Sequence, residues 1–459
     1  MGFARIDATV VGWLSAVAFL GLFTAPALAL LHAGNRPGPV VRLAVTRSLL
    51  AIPLLALEWW VAGHALAFGP GLFGALARTP HAHPAATGSE LHAPFGLVAF
   101  RLAFALVLPA LVASVCAGRM RFVAFAAFVV AWSTAVLAPV AHWVWGEGGW
   151  LAAAGVLDFA GGTVVHLTAG VAILVCSLVL GRSDDESHAT RGRASPAAFP
   201  WVGAVLLWAA YSAFNCAAGL PNGQLASFAL ARTELAAVAG GLGWLIVQWR
   251  DRGRFDRAGA ASGVVAGLVA IAPAAGFVSA SAAVAIGFIG GAVSYGTLFG
   301  GLAGLTAALL AITADAGYVA PATAVSLAAV AGGFCLGVVL LYERFGLARL
   351  PSAFGTHAVA GLAGALLTGV FAQKALNEHG ANGALFGRAE QAEIQLLACA
   401  AIATYAAAMT YVLLKFIDVT IGLRGAFEAP PRVPDDASEG CEITGVRERR
   451  PGAARIASL

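Results

Sequence analysis

Thirteen stretches of about twenty mostly apolar residues run along this 459-residue chain, near 9–32, 43–68, 95–116, 122–145, 158–180, 199–219, 227–249, 259–278, 281–298, 301–319, 321–341, 352–372 and 394–417. Each is long enough to cross a hydrocarbon layer about 30 Å thick as a helix, which satisfies its backbone amides from within the segment. Composition agrees, with 60% of residues hydrophobic and 11% charged, against about 25% charged in ordinary soluble domains. The chain therefore reads as an all-α polytopic membrane protein. Its six cysteines are scattered without ligand-like spacing, five of them in apolar runs, which excludes a disulfide scaffold. A formal net charge of +4 is too weak and too evenly spread to argue for nucleic acid.

The placement of the basic residues sets the orientation, because Lys and Arg accumulate in cytoplasmic loops. Alternate loops hold Arg36, Arg42, Arg119, Arg121, Arg182, Arg191, Arg193, Arg250, Arg252, Arg254, Arg257, Arg344 and Arg349, whereas the opposite side holds Arg5, Arg78, Lys374 and Arg388. That asymmetry predicts the N-terminus outside and the C-terminus inside the cell (inner) membrane. Ala27-Leu28-Ala29 resembles a signal cleavage site, but the run stays apolar through Leu31 with no clear basic region before it, so it is read as a first spanning helix. Residues 1–424 form the expected transmembrane domain. The tail over 425–459, rich in Pro, Asp, Glu and Arg, is expected to extend into the cytoplasm.

Two internal repeats refine this picture. His166-Leu167-Thr168-Ala169-Gly170-Val171-Ala172 matches His357-Ala358-Val359-Ala360-Gly361-Leu362-Ala363 as H-x-x-A-G-[VL]-A. The two helices carrying it run oppositely in the topology above, as an inverted repeat requires, and such repeats meet near the bilayer midplane. The two histidines are thus expected to face each other. The second repeat is local: Ala270 to Val278 recurs as Ala311 to Val319, through a turn, which predicts an extra two-helix hairpin over about 300–341.

An ionisable group within a membrane helix is costly unless it meets a partner or a cavity, which singles out His166 and His357. A neutral imidazole has one donor and one acceptor, so a facing pair can share a proton along an otherwise dry pore. The plainer reading is two core histidines satisfied by helix carbonyls; their matched repeat positions favour the pair. Asp158 opens the fifth span, placed to cap it or to draw in a cation. No nucleotide loop, metal-ligand cluster or nucleophile triad is present, so no cofactor or enzymatic chemistry is expected.

The stretch Ala141-His142-Trp143-Val144-Trp145-Gly146, followed by Asp158-Phe159-Ala160-Gly161-Gly162-Thr163-Val164-Val165-His166, resembles the signature of the ammonium transporter family (Amt/Mep/Rh). Ala213-Phe214-Asn215, Ile271 to Phe277, Phe354-Gly355-Thr356-His357 and Asp418 to Arg424 are similar to further elements of that family. The resemblance implies inverted five-helix repeats plus a C-terminal helix, a homotrimer with one narrow pore per subunit, and ammonium or ammonia as substrate. It assigns Phe104 and Phe214 as a ring gate, Trp145 as an outer cation-π wall, Asp158 as a structural or deprotonation-linked carboxylate, and His166 with His357 as the pore pair. It also implies a PII-type regulatory protein on the cytoplasmic face.

The departures from the family cluster at the outer site. Ala218 stands where a cation-binding Ser is usual, Ala272 where a Thr is usual, and Arg101 where a Gln is usual. An added positive charge about 6 Å from a bound cation costs on the order of 3 kcal/mol at an effective dielectric of 20, unless Glu58 or Glu234 neutralises it. The second repeat copy carries Thr313 and Asp315, candidates to restore the lost acceptors. The leading expectation is ammonium or ammonia transport along the histidine pair; the alternatives are an ammonium sensor and a channel for another small neutral or weakly basic solute such as methylamine.

Overall fold

The computed structural model describes residues 8–34, 36, 38–69, 89–116, 119–181, 198–219, 223–255, 257–299 and 353–424, with no strand among them. Eleven apolar helices carry the fold of these residues: α1 (Trp13–Ala33), α2 (Gly38–Phe68), α3 (Leu97–Cys116), α4 (122–145), α5 (Gly162–Leu180), α6 (Phe199–Ala218), α7 (Gly223–Arg252), α8 (Arg257–Ile271), α9 (Ala280–Phe299), α10 (Phe354–Phe371) and α11 (Glu390–Thr420). Each overlaps an expected span, although α8 ends at Ile271 where the apolar run predicts helix to 278. The spans expected over 301–319 and 321–341, the hairpin they form, Thr313, Asp315 and the tail over 425–459 lie outside the described residues.

The two halves of the inverted repeat meet through their matched glycines. A Cβ on Gly170 would stand 2.3 Å from the backbone nitrogen of Ala358, and one on Gly361 would stand 2.5 Å from the carbonyl oxygen of Gly162 and 3.3 Å from the nitrogen of Leu167. As the residue number rises along α5 it falls along α10, so the two segments cross antiparallel. Small residues let membrane helices approach until their backbones touch, where packing rather than solvent exclusion holds them. Each motif opens on a π-helical turn, Gly162–Leu167 and Phe354–Val359, and each turn carries its histidine. The wider π turn interrupts regular α-helical bonding, a feature that recurs at functional sites.

The fifth helix starts later than the apolar run predicts. Residues 158–161 form a turn, and α5 begins at Gly162, after Gly161 at φ 97°. The cause is the Asp158 carboxylate. One oxygen accepts the N–H groups of Gly161 at 2.7 Å and Gly162 at 2.9 Å; the other accepts those of Thr163 at 2.9 Å and Val164 at 3.0 Å, together with the Thr163 hydroxyl. The first amides of a helix lack intrahelical acceptors, and a carboxylate there also complements the helix dipole. Two further elements pin the turn. Phe159 and Ala160 donate their N–H groups to the carbonyls of Pro273 at 3.1 Å and Ala272 at 2.9 Å. Gln395 of α11 holds both the N–H and the carbonyl of Leu157 at 2.8 Å.

Two stability outcomes follow from these contacts. Gly170→Leu and Gly361→Leu should each lower the thermal unfolding temperature in detergent, since overpacking a tight contact costs about 1–3 kcal/mol and here the neighbour is backbone. Gly223→Ala, whose Cβ meets open space, should melt like the parent; equal melting of all three variants would contradict the close crossing. Asp158→Ala strands several buried donors at about 1–3 kcal/mol each. It should melt well below Asp158→Asn, which retains one acceptor oxygen, and the reverse order would contradict the capping role.

Candidate functional site

The repeat brings its two histidines together. His166 Nδ1 lies 3.2 Å from His357 Nδ1, and the rings are inclined by 28° with centroids 5.2 Å apart. Both side chains are buried, His357 completely and His166 at 3% exposure. Each neutral ring supplies one N–H and one lone pair, so the contact is satisfied with either ring as donor and without net charge. This geometry matters because an isolated ion in such surroundings would cost tens of kcal/mol.

Above the pair stands a cluster of rings. Phe104 of α3 and Phe214 of α6 have centroids 5.3 Å apart at an inclination of 35°, and Trp145, the last residue of α4, lies 5.7 Å from Phe104. Phe100 joins them, 5.3 Å from Phe104 and 6.1 Å from Phe214. The Trp145 indole is fixed by donating its N–H to the carbonyl of Asp158 at 2.7 Å, which ties the aromatic wall to the capped turn. A small cavity bordered by Thr24, Phe104, Ala160, His166, Tyr211 and Phe214 has room for about one water-sized molecule. It joins the two phenyl rings to the first histidine.

Ala218 is buried at the end of α6 and presents no polar atom. The first copy of the local repeat packs on the site, since Ala272 and Pro273 bond the Asp158 turn and Phe277 meets Phe159 with centroids 5.6 Å apart. Asp158 sits in that turn with both carboxylate oxygens engaged by the start of α5.

Of the two carboxylates that could neutralise Arg101, neither pairs with it. Glu58 accepts the hydroxyls of Ser133 at 2.9 Å and Thr134 at 2.7 Å, and Glu234 accepts from Trp208 at 2.7 Å and Ser212 at 2.5 Å. Arg101 instead lies 3.5 Å above the Phe68 ring and 3.1 Å from His64 Nε2. A guanidinium stacks on an aromatic face and donates to a ring nitrogen without needing a carboxylate. Which polar group meets which across two helices is a matter of rotation and depth, and spacing along one chain does not encode it.

Two further residues join the site that no sequence motif marks. Tyr211 places its hydroxyl 2.8 Å from His166 Nε2, and His32 places Nε2 3.2 Å from His357 Nε2. Tyr211 precedes Phe214 by three residues on α6, so one helix face carries both. His32 is an ionisable residue inside an apolar span, and the rule that selected the other two histidines applies to it equally.

Known proteins share the fold and the sequence pattern of this chain. The model of the Ammonium Transporter Family matches residues 12–303 and 296–430, so its two segments meet between the copies of the local repeat. The chain is 34% identical over 410 residues to an ammonium transporter of Bacillus subtilis, covering 88% of this chain and 90% of that protein. It is 34% identical over 430 residues to an ammonium transporter of Aquifex aeolicus, with 92% and 90% covered. Its fold is similar to the crystal structure of Saccharomyces cerevisiae Mep2, with a TM-score of 0.73 and 26% identity over 94% of this chain and 93% of that one. A membrane-spanning helical chain with this motif content, matched along nearly its whole length, belongs to the ammonium transporter family.

Proposed function

We propose that this protein moves ammonium nitrogen across the membrane as neutral ammonia, while the proton travels separately along His166 and His357. The observation that carries the reading is the buried 3.2 Å contact between the two Nδ1 atoms, directly behind the ring cluster. A bare ammonium ion in this lumen would bear a desolvation penalty that no buried carboxylate among the described residues offsets, since the oxygens of Asp158 are taken up by backbone donors. Ammonia bears no such penalty. It needs only hydrogen-bond partners, and a ring nitrogen serves as acceptor or donor.

The steps follow from the positions of the groups. A cation reaching the outer side meets the face of Trp145, whose quadrupole attracts positive charge. It gives up a proton, and the remaining ammonia passes as Phe104 and Phe214 rotate apart. Beyond them it enters the small cavity beside His166. The missing hydroxyl at Ala218 makes the outer site weaker than its aromatic wall alone suggests, so recruitment depends more on that wall than on hydrogen bonding. The proposal extends to a homotrimer with one pore per subunit, N-terminus outside, and to a PII-type regulator at the cytoplasmic face, both supported by family membership.

Ammonium-evoked current in proteoliposomes tests the reading. His166→Ala and His357→Ala should each reduce it at least tenfold, equivalent to about 1.4 kcal/mol on the rate-limiting barrier, while the variants still elute as folded protein. Wild-type current retained in both variants would overturn the separate proton path. Ammonium binding to the wild-type protein with no current would favour the sensor reading instead.

A further inference from the structure

The histidine pair is part of a longer chain of groups. From Tyr211 the hydroxyl meets His166 Nε2 at 2.8 Å, His166 Nδ1 meets His357 Nδ1 at 3.2 Å, and His357 Nε2 meets His32 Nε2 at 3.2 Å. The rings are strung end to end through opposite nitrogens, and among the described residues no cluster of His, Cys, Asp or Glu converges as metal ligands would. His32 is the penultimate residue of α1 and is partly accessible, whereas His166 and His357 are buried. We infer that His32 is the exit relay of the proton path, receiving the proton from His357 and passing it toward the mouth of the pore at the C-terminal end of α1. This rests on the proposed function above.

The proton count closes without a charged ring at rest. When the Tyr211 hydroxyl donates to His166 Nε2, His166 carries its proton on Nδ1, His357 on Nε2 and His32 on Nδ1, each donating to the next ring. A proton arriving at His166 Nε2 forms an N–H bond there. The Nδ1 proton of His166 moves to His357 Nδ1, the Nε2 proton of His357 moves to His32 Nε2, and the Nδ1 proton of His32 leaves. One proton enters and one departs. Each ring is again neutral in its other tautomer, and His166 now donates to the Tyr211 oxygen. Ring rotation or the reverse transfer resets the chain. With two rings alone, the departing proton would come from the wholly buried His357; the third ring brings it to a partly accessible one.

The variants His32→Phe and His32→Gln separate relay from support. Phenylalanine keeps the ring volume, and glutamine keeps a hydrogen-bonding group but cannot take up one proton while releasing another. The full-length protein, labelled with 15N at the histidine ring nitrogens and reconstituted in lipid, should show a hydrogen-bond coupling between His32 and His357. Solvent exchange of the His357 Nε2 proton should slow at least tenfold in both variants, and ammonium-evoked current should fall at least tenfold in both. Absence of the coupling in the wild-type protein would overturn the inference, as would wild-type exchange in the glutamine variant, which would mean that His32 merely steadies its neighbour. A wild-type protein with no ammonium current would overturn the proposed function, and the exchange rates would still decide the relay.

Discussion

Everything at the centre of this protein depends on one contact, the edge shared by the His166 and His357 rings. It lies where two oppositely running helices cross, and the crossing is close because Gly170 and Gly361 leave no Cβ between the backbones. The same seven-residue motif thus supplies the ring and the space that lets its partner approach. Neutral imidazoles suit such a place: they satisfy each other in either polarity, whereas an ion pair there would rarely recover its desolvation cost.

The surrounding charges are arranged so that they do not compete with the pair. Asp158 spends its carboxylate on the first amides of α5, Glu58 on two hydroxyls of α4, and Glu234 on Trp208 and Ser212. Arg101 rests on Phe68 and His64. Polar groups satisfied in this way fix the helices around the ring cluster and the two imidazoles. The path proposed through them would favour a small neutral solute and disfavour any ion that had to shed its water.

Much of this was legible in the sequence, for identifiable reasons. A membrane helix must be apolar for about twenty residues, so nine of the eleven described helices announce themselves by length and hydropathy, while the apolar stretches of α8 and α9 are shorter. His166 and His357 were found because an inverted repeat doubles its signal, and the capping by Asp158 follows from a carboxylate placed just before a helix. The start of α5 lies at Gly162 rather than 158 because Phe159 and Ala160 continue the apolar pattern, and only the hydrogen bonds reveal that residues 158–161 form a turn. Tyr211 and His32 have no repeat partner, so nothing in one dimension marks them as neighbours of the pair. The partners of Arg101, Phe68 and His64, depend on how α2 and α3 are rotated against each other, which spacing along the chain does not record.

Under the proposed function this lumen is too narrow and too dry for a hydrated cation and passes nitrogen only after a proton has been removed. Comparing currents evoked by equal gradients of ammonium and potassium across bilayers containing the purified wild-type protein tests it most directly. The expected result is a current with ammonium and none above background with potassium. Potassium currents of similar size would mean an open, water-filled channel, and the histidine path would lose its purpose.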